Sequence, residues 1–330
     1  MIQFGIIARN FSSSSAVQSA IKNVTVIGGG LMGSGIAQVS AQAGQNVTLV
    51  DVNSDVLSKA QKSIQNNLGR VAKKVYKDKP QEGEKFVADA LARIKTSTDP
   101  VSSAQGADLI VEAIVENMAV KHALFKQLDS AAPDHTILAS NTSSLSINEI
   151  ASVVKRKDKF GGLHFFNPVP VMRLLEVVRG AETSEATYNS MMEWGKVVGK
   201  TCITCKDTPG FVVNRLLVPY IAEAIRLYER GDASARDIDI AMKLGAGYPM
   251  GPLELADYVG LDTNKFILDG WHKKYPNEPL FNPSPLLNKL VSEGKLGVKT
   301  GEGFYNHFKR QLTRCIIPAR WRCLIPHSIW

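Results

Sequence analysis

Val24-Thr25-Val26-Ile27-Gly28-Gly29-Gly30-Leu31-Met32-Gly33 opens a stretch that closes with Asn46-Val47-Thr48-Leu49-Val50-Asp51. The apolar run before Gly28 reads as a buried parallel strand, Leu31 to Ala43 as a helix, and Asn46 to Val50 as a second strand. Gly28, Gly30 and Gly33 fit G-x-G-x-x-G. At that spacing the first glycine permits a tight turn, the second lets the backbone approach a pyrophosphate, and the third lets helix and strand pack closely. The phosphates would lie on the positive helix N-terminus, against the backbone that runs through Leu31 and Met32. Asp51 follows Gly33 by 18 residues. A carboxylate at the end of the second strand accepts hydrogen bonds from ribose hydroxyls and repels a 2′-phosphate, so the expected cofactor is NAD rather than NADP. An ordinary glycine-rich turn is the plainer alternative. The strand before, the helix after and the acid at the expected distance argue against it.

The chain has 330 residues, 44% hydrophobic and 21% charged, which is ordinary globular composition with room for two domains. No apolar run is long enough to predict a membrane span. Its net charge of +8 raises the question of nucleic acid, but the charge is concentrated at the ends. Two positive charges and no acid lie in 1–22, five positive charges and no acid in 306–330, and the core between them is left at +1. No nucleic-acid partner is expected. Asp51 is the first acidic residue, and the run Ser12 to Ser15 follows Arg9; acid-free, Ser-rich composition suits a mitochondrial transit peptide over 1–22. Four cysteines are too few for a disulfide framework. Cys202 and Cys205 form C-x-x-C on what reads as a short strand, where positions three apart face opposite sides, so a buried structural pair is expected rather than a redox centre. The six histidines show no metal-ligand spacing, and no metal is expected.

A helical insertion is expected from Ser54 to about Thr96, basic over 55–80, where seven Lys and Arg face Asp55 and Asp78. Most of that run reads as a solvated helix face, though its place beside a nucleotide fold also makes it a candidate anion clamp. Further strands are expected at Asp108 to Val115, Thr136 to Ser140, Lys159 to Phe165 and Arg173 to Arg179, with helices at Val120 to Ser130 and Ser146 to Val154. That alternation predicts an α/β fold with a doubly wound parallel sheet. Beyond Asp207-Thr208-Pro209-Gly210 the apolar positions recur at three to four residues, so an all-helical C-terminal domain follows. The expected divisions are 1–22, 23–206, 207–305 and a divergent basic tail, 306–330.

Ligands of an open α/β sheet bind outside the carboxyl ends of its strands. Three candidate groups lie there: Ser140-Asn141-Thr142-Ser143-Ser144, His164-Phe165-Phe166-Asn167-Pro168, and Glu176 on the next strand. The first could equally be a helix-capping cluster. Glu176, between Leu175 and Val177, is costly to bury unless paired, and an imidazole is its natural partner. A carboxylate on one ring nitrogen fixes the tautomer and leaves the other nitrogen to accept an alcohol proton. A structural His–Glu hydrogen bond is the plainer reading, and the nucleotide fingerprint favours the catalytic one. Ser143 lacks the G-x-S-x-G setting of a hydrolase.

Six motifs now carry a resemblance: residues 26–33, Glu112-Ala113-Ile114-Val115-Glu116-Asn117, 140–144, Leu163-His164-Phe165-Phe166-Asn167-Pro168, Asp207-Thr208-Pro209-Gly210-Phe211 and Lys299-Thr300-Gly301-Glu302-Gly303-Phe304-Tyr305. From about 23 to 305 the chain resembles the short-chain L-3-hydroxyacyl-CoA dehydrogenase family of mitochondrial fatty-acid β-oxidation. The resemblance implies a Rossmann-like domain with a helical hairpin insertion, and NAD-linked oxidation of a 3-hydroxyacyl-CoA in the mitochondrial matrix. It implies His164 as base with Glu176 as its partner, and Ser143 and Asn214 at the reacting oxygen or thioester. Asp51, Glu116, Lys121, Ser143, Asn167 and Lys299 would surround NAD, with Lys74 and Ser143 on CoA. Asn67 stands where relatives carry a CoA-contacting serine. A homodimer through the helical domain and a cleft closing on substrate are implied as well. Two other readings are a β-hydroxyacid dehydrogenase with a lysine base, against which the His164 and Glu176 pair speaks, and an NAD-binding structural protein of the crystallin kind.

Overall fold

The computed structural model describes residues 21–308. Residues 1–20 of the leader expected over 1–22, and residues 309–330 of the tail expected over 306–330, lie outside the described residues. The chain divides into two compact units between Thr208 and Pro209.

The first unit runs β1 (Asn23–Ile27), α1 (Leu31–Gln42), β2 (Asn46–Val50), α2 (Ser54–Val75), α3 (Pro80–Ala92), β3 (Ile94–Ser97), α4 (Pro100–Ala104), β4 (Leu109–Glu112), α5 (Met118–Ala131), β5 (Ile137–Ser140), α6 (Ile147–Ala151), β6 (Phe160–Phe165), β7 (Leu174–Arg179), α7 (Glu185–Val197) and β8 (Thr201–Lys206). Its eight strands form one sheet in the order β3-β2-β1-β4-β5-β6-β7-β8. The chain leaves β1 toward β2 and returns to β4 on the other side, so the strand order reverses at β1, the place where such sheets open a ligand crevice. β6 and β7 pair antiparallel, and every other pair is parallel. That reversal brings the end of β6 and the start of β7 to the same edge of the sheet. Val24 and Val26 of β1, Val47 and Leu49 of β2, Ile36 of α1 and Ile64 and Leu68 of α2 belong to one buried core, which continues through Leu163, Leu175 and Val177 to Met191 and Trp194 of α7.

Three details differ from the sequence expectation. The insertion is the expected helical hairpin, turning over Tyr76–Lys79, but it ends before Thr96, because Ile94–Ser97 pairs with β2 as an edge strand. Helix α7, which the strand pattern did not anticipate, packs against β7 and β8. Ile21 is 5% exposed in the core and the Lys22 N–H donates to Asp108 (2.8 Å), so the folded unit starts ahead of residue 23.

The second unit consists of α8 (Val213–Glu229), α9 (Ala235–Gly245), α10 (Pro252–Val259), α11 (Leu261–Lys274) and α12 (Pro285–Ser292), around Ile221, Ile225, Leu253, Leu261, Leu268, Trp271 and Phe281. Two buried carboxylates organise it. Asp239 accepts from the Leu253 and Glu254 N–H groups at the start of α10, and from the Tyr305 hydroxyl, whose pKa burial pushes up. Asp257 accepts from the Phe304 and Tyr305 N–H groups and contacts the His307 ring at 2.8 Å, so the fold extends past residue 305.

Candidate active site

The turn after β1 is built for close approach. Gly28 has φ +109°, a left-handed value that favours glycine, and its N–H donates to Val50 O (2.7 Å). A Cβ on Gly33 would lie 1.7 Å from Gly28 O, so helix and turn touch backbone to backbone. At Gly30 a Cβ would meet nothing within 4 Å: that face of the turn is open. Helix α1 begins there without a side-chain cap or an acid in its first turn, which leaves its first N–H groups for an anion. Asp51 accepts from Gly29 N–H (2.8 Å) and Asn53 N–H (3.1 Å), which holds its carboxylate beside the turn. Leu31, Val52 and Val115 are exposed at the carboxyl ends of β1, β2 and β4. An open turn, an uncapped helix end, an anchored acid and bare apolar side chains together fit a dinucleotide.

Behind that edge lies a buried polar network. Glu112, the last residue of β4, is fully buried, and its carboxylate accepts from Lys121 Nζ (2.6 Å), Ile114 N–H (2.7 Å) and Ser140 Oγ (2.7 Å). Lys121 on α5 is itself 1% exposed and also faces Glu116 at 3.4 Å. Glu116 accepts from Thr142 Oγ1 (2.9 Å) and from Ser143 N–H (2.8 Å) and Oγ (3.3 Å). Asn141 Oδ1 accepts from Phe165 N–H (2.9 Å) and joins the same loop to the end of β6. The Lys121 ammonium therefore acts from behind Glu116, and Ser143 stands at the front of the network, half-buried. The helix-capping role falls outside this cluster: Ser146 caps α6.

His164 and Glu176 sit directly opposite each other in the antiparallel register of β6 and β7. Nδ1 of the imidazole lies 2.7 Å from Glu176 Oε2, with Glu176 fully buried and His164 5% exposed. A carboxylate there accepts the Nδ1 proton, so the neutral ring presents Nε2 as an acceptor. The Phe166 ring lies 4.5 Å from the imidazole, centroid to centroid. Asn167 is exposed immediately beyond it.

The remaining predicted residues are spread more widely. Asn67 is half-buried and Lys74 exposed, both on the insertion helix α2. Asn214, in the first turn of α8, and Lys299, paired with Asp262 at 2.5 Å, belong to the second unit. Cys202 and Cys205 are half-buried rather than fully buried; burial pushes their thiols to about 11 and about 12, so both stay protonated at neutral pH. Glu112 had no role in the sequence reading, although a carboxylate closing the apolar strand Leu109-Ile110-Val111 is the same signal that singled out Glu176.

Residues 23–208 match the 3-hydroxyacyl-CoA dehydrogenase NAD binding domain, and residues 210–307 the 3-hydroxyacyl-CoA dehydrogenase C-terminal domain. The chain is 60% identical over 300 residues to the mitochondrial hydroxyacyl-coenzyme A dehydrogenase of Sus scrofa, covering 90% of this chain and 96% of that one. It is likewise 60% identical over 296 residues to the mitochondrial hydroxyacyl-coenzyme A dehydrogenase of Homo sapiens, with 90% and 94% covered. Among solved structures, (S)-3-hydroxybutyryl-CoA dehydrogenase from Ralstonia eutropha superposes with a TM-score of 0.82 at 42% identity, over 87% of this chain and 99% of that one.

Removing one partner of a fully buried ion pair leaves an uncompensated charge and costs about 3–5 kcal/mol. Lys121→Met should lower the unfolding free energy by an amount in that range, as read from urea denaturation monitored by circular dichroism. A loss below about 1 kcal/mol, the scale of an exposed pair, would show that Glu112 and Lys121 are not coupled as their geometry indicates.

Proposed function

The chain belongs to the 3-hydroxyacyl-CoA dehydrogenase family and is an NAD-dependent oxidoreductase; from that premise we propose that it oxidises an L-3-hydroxyacyl-CoA to the 3-ketoacyl-CoA in fatty-acid β-oxidation, with His164 as general base. The observation that carries this reading is the buried 2.7 Å contact between His164 Nδ1 and Glu176. Bound NAD supplies the oxidised nicotinamide ring that accepts a hydride in this chemistry. Oxidation of a secondary alcohol also requires loss of the hydroxyl proton, and His164 Nε2 takes it. Glu176 holds the ring in the required tautomer and offsets the positive charge that the ring acquires. Ser143, held through its N–H by Glu116, turns its hydroxyl from that carboxylate to donate to the reacting oxygen, with Asn214 a second contact there or at the thioester.

The cofactor is held by the backbone from Gly28 to Gly33, Leu31 and Met32 included, by Asp51 at the ribose, and by Glu116, Asn167 and Lys299, with Lys121 fixing Glu116 from behind. Lys74 and Asn67 on α2 contact CoA; the ammonium is exposed and able to meet a phosphate. No helix among the described residues is long and apolar enough to cross a membrane. Acid-free composition over 1–22 and relatives named mitochondrial support a cleaved leader and the mitochondrial matrix. The family resemblance supports a homodimer through the helical unit.

His164→Gln keeps a polar side chain at the position and removes the proton acceptor. Because positioned general bases contribute roughly 10²–10⁴-fold, kcat should fall by that order while NADH affinity, followed by fluorescence, changes little. Near-normal turnover in this variant would remove His164 from the reaction. Native mass spectrometry of protein purified from cells reads the other two expectations together. A dimer of chains lacking the leader, cut at or before residue 20 because Ile21 is buried in the core, is the expected species; an intact Met1 or a monomer contradicts the corresponding part.

A further inference from the structure

The turn that joins β6 to β7 is tied down by a buried cation. Lys200, the residue before β8, is 8% exposed, and its ammonium donates to the carbonyl oxygens of Val169 and Met172, the latter at 2.7 Å. Burial lowers its pKa, and among the described residues no carboxylate forms an ion pair with it. Burying an ammonium against two carbonyl groups and, 5.9 Å away, the Phe165 ring is expensive without a carboxylate, and a methionine would fill the same space without that cost.

The segment it holds is short and already folded on itself. Val171 and Met172 N–H groups both donate to Pro168 O at 2.9 Å. The Val169 side chain is 2% exposed and lies against Gly35, one turn into α1, where a Cβ would come within 2.7 Å of Val169 Cβ. Thr201 N–H donates to Arg173 O at 2.7 Å, so the residue next to the lysine pins the far end of the same turn. The turn is thus pressed on the helix that begins at the glycine-rich loop, and it starts from Asn167, three residues after His164.

We propose that Lys200 is a positioning residue for cofactor binding: by clamping the Val169 and Met172 carbonyls it seats the 168–172 turn on Gly35 of α1 and thereby fixes Asn167 beside the glycine-rich loop. This rests on the reading that the crevice at Gly28–Gly33 and Asn167 holds NAD. Lys200 ties the start of β8 to the turn after the His164 strand, and Val169 of that turn carries the contact to the nucleotide helix. Its loss loosens Asn167 without touching α2, where CoA is expected to bind.

The test compares Lys200→Met with the wild type in three titrations: NADH by fluorescence, a short 3-ketoacyl-CoA by calorimetry, and thermal unfolding. A misplacement of about 1 Å can cost up to about 100-fold, so NADH affinity should weaken by about tenfold or more and kcat should fall, with 3-ketoacyl-CoA affinity unchanged within about twofold. Lys200→Arg, whose forked donors can meet both carbonyls, should recover most of the NADH affinity. If Lys200→Met does not accumulate as folded protein, Val169→Ala decides; it leaves the ammonium in place, shrinks the contact with Gly35, and should weaken NADH binding at near-normal Tm. Unchanged NADH affinity overturns the proposal. So does a parallel loss of NADH and 3-ketoacyl-CoA binding in step with Tm, which is what a merely structural lysine would give. The NADH titration needs no turnover, so it reads the clamp even if His164→Gln were to remain active.

Discussion

A carboxylate with no access to water, facing an imidazole across two antiparallel strands, is the constraint from which the rest of the site follows. Glu176 is fully buried between Leu175 and Val177, and a charge placed there is tolerable only with a hydrogen-bonding partner. His164 meets it because β7 runs against β6, and the register sets the two residues opposite each other. Had β7 run parallel to the sheet, its first residues would lie at the far edge, and the pair could not form at the crevice. The reversed connection between β6 and β7 is therefore the feature on which the proposed chemistry depends, and the turn that makes the reversal, 168–172, is where the buried Lys200 acts.

The site contains a second buried carboxylate with a different partner and a different consequence. Glu112 faces the Lys121 ammonium, with Ser140 Oγ and Ile114 N–H filling its remaining acceptor sites. Nothing in that group needs to move. It forms a fixed base from which Glu116 reaches forward to Thr142 and Ser143. The imidazole of His164, by contrast, has two ring nitrogens, and a partner on one of them decides what the other presents. One carboxylate supports a scaffold, and in the proposed reaction the other orients a proton acceptor; the partner side chain decides which.

Much of this was legible from sequence where the signal was local. The glycine spacing with Asp51 specifies strand, turn, helix and strand within about 30 residues, and the structure has them in that order. His164 and Glu176 were legible because a histidine at a strand end and a carboxylate in an apolar run are each costly without a partner. The direction of β7 was not, since strand periodicity carries no information about orientation. Ile94–Ser97 offered one apolar residue in four and so gave no strand signal; its edge position asks for no more. Glu112 and Lys121 are nine residues apart on a strand and a helix, a pairing that no helical or strand spacing encodes. Lys200 is one basic residue among 39 Lys and Arg, and only the fold reveals that its head is buried.

The central claim is that Glu176 sets the tautomer of His164 and so leaves Nε2 as the proton acceptor. Nitrogen NMR of protein labelled at its six histidines measures this directly, with His164→Gln assigning the signal. At neutral pH the account predicts a proton on Nδ1, strongly hydrogen-bonded and lost or shifted in Glu176→Gln, and no proton on Nε2. A proton on Nε2 with Nδ1 bare would contradict it.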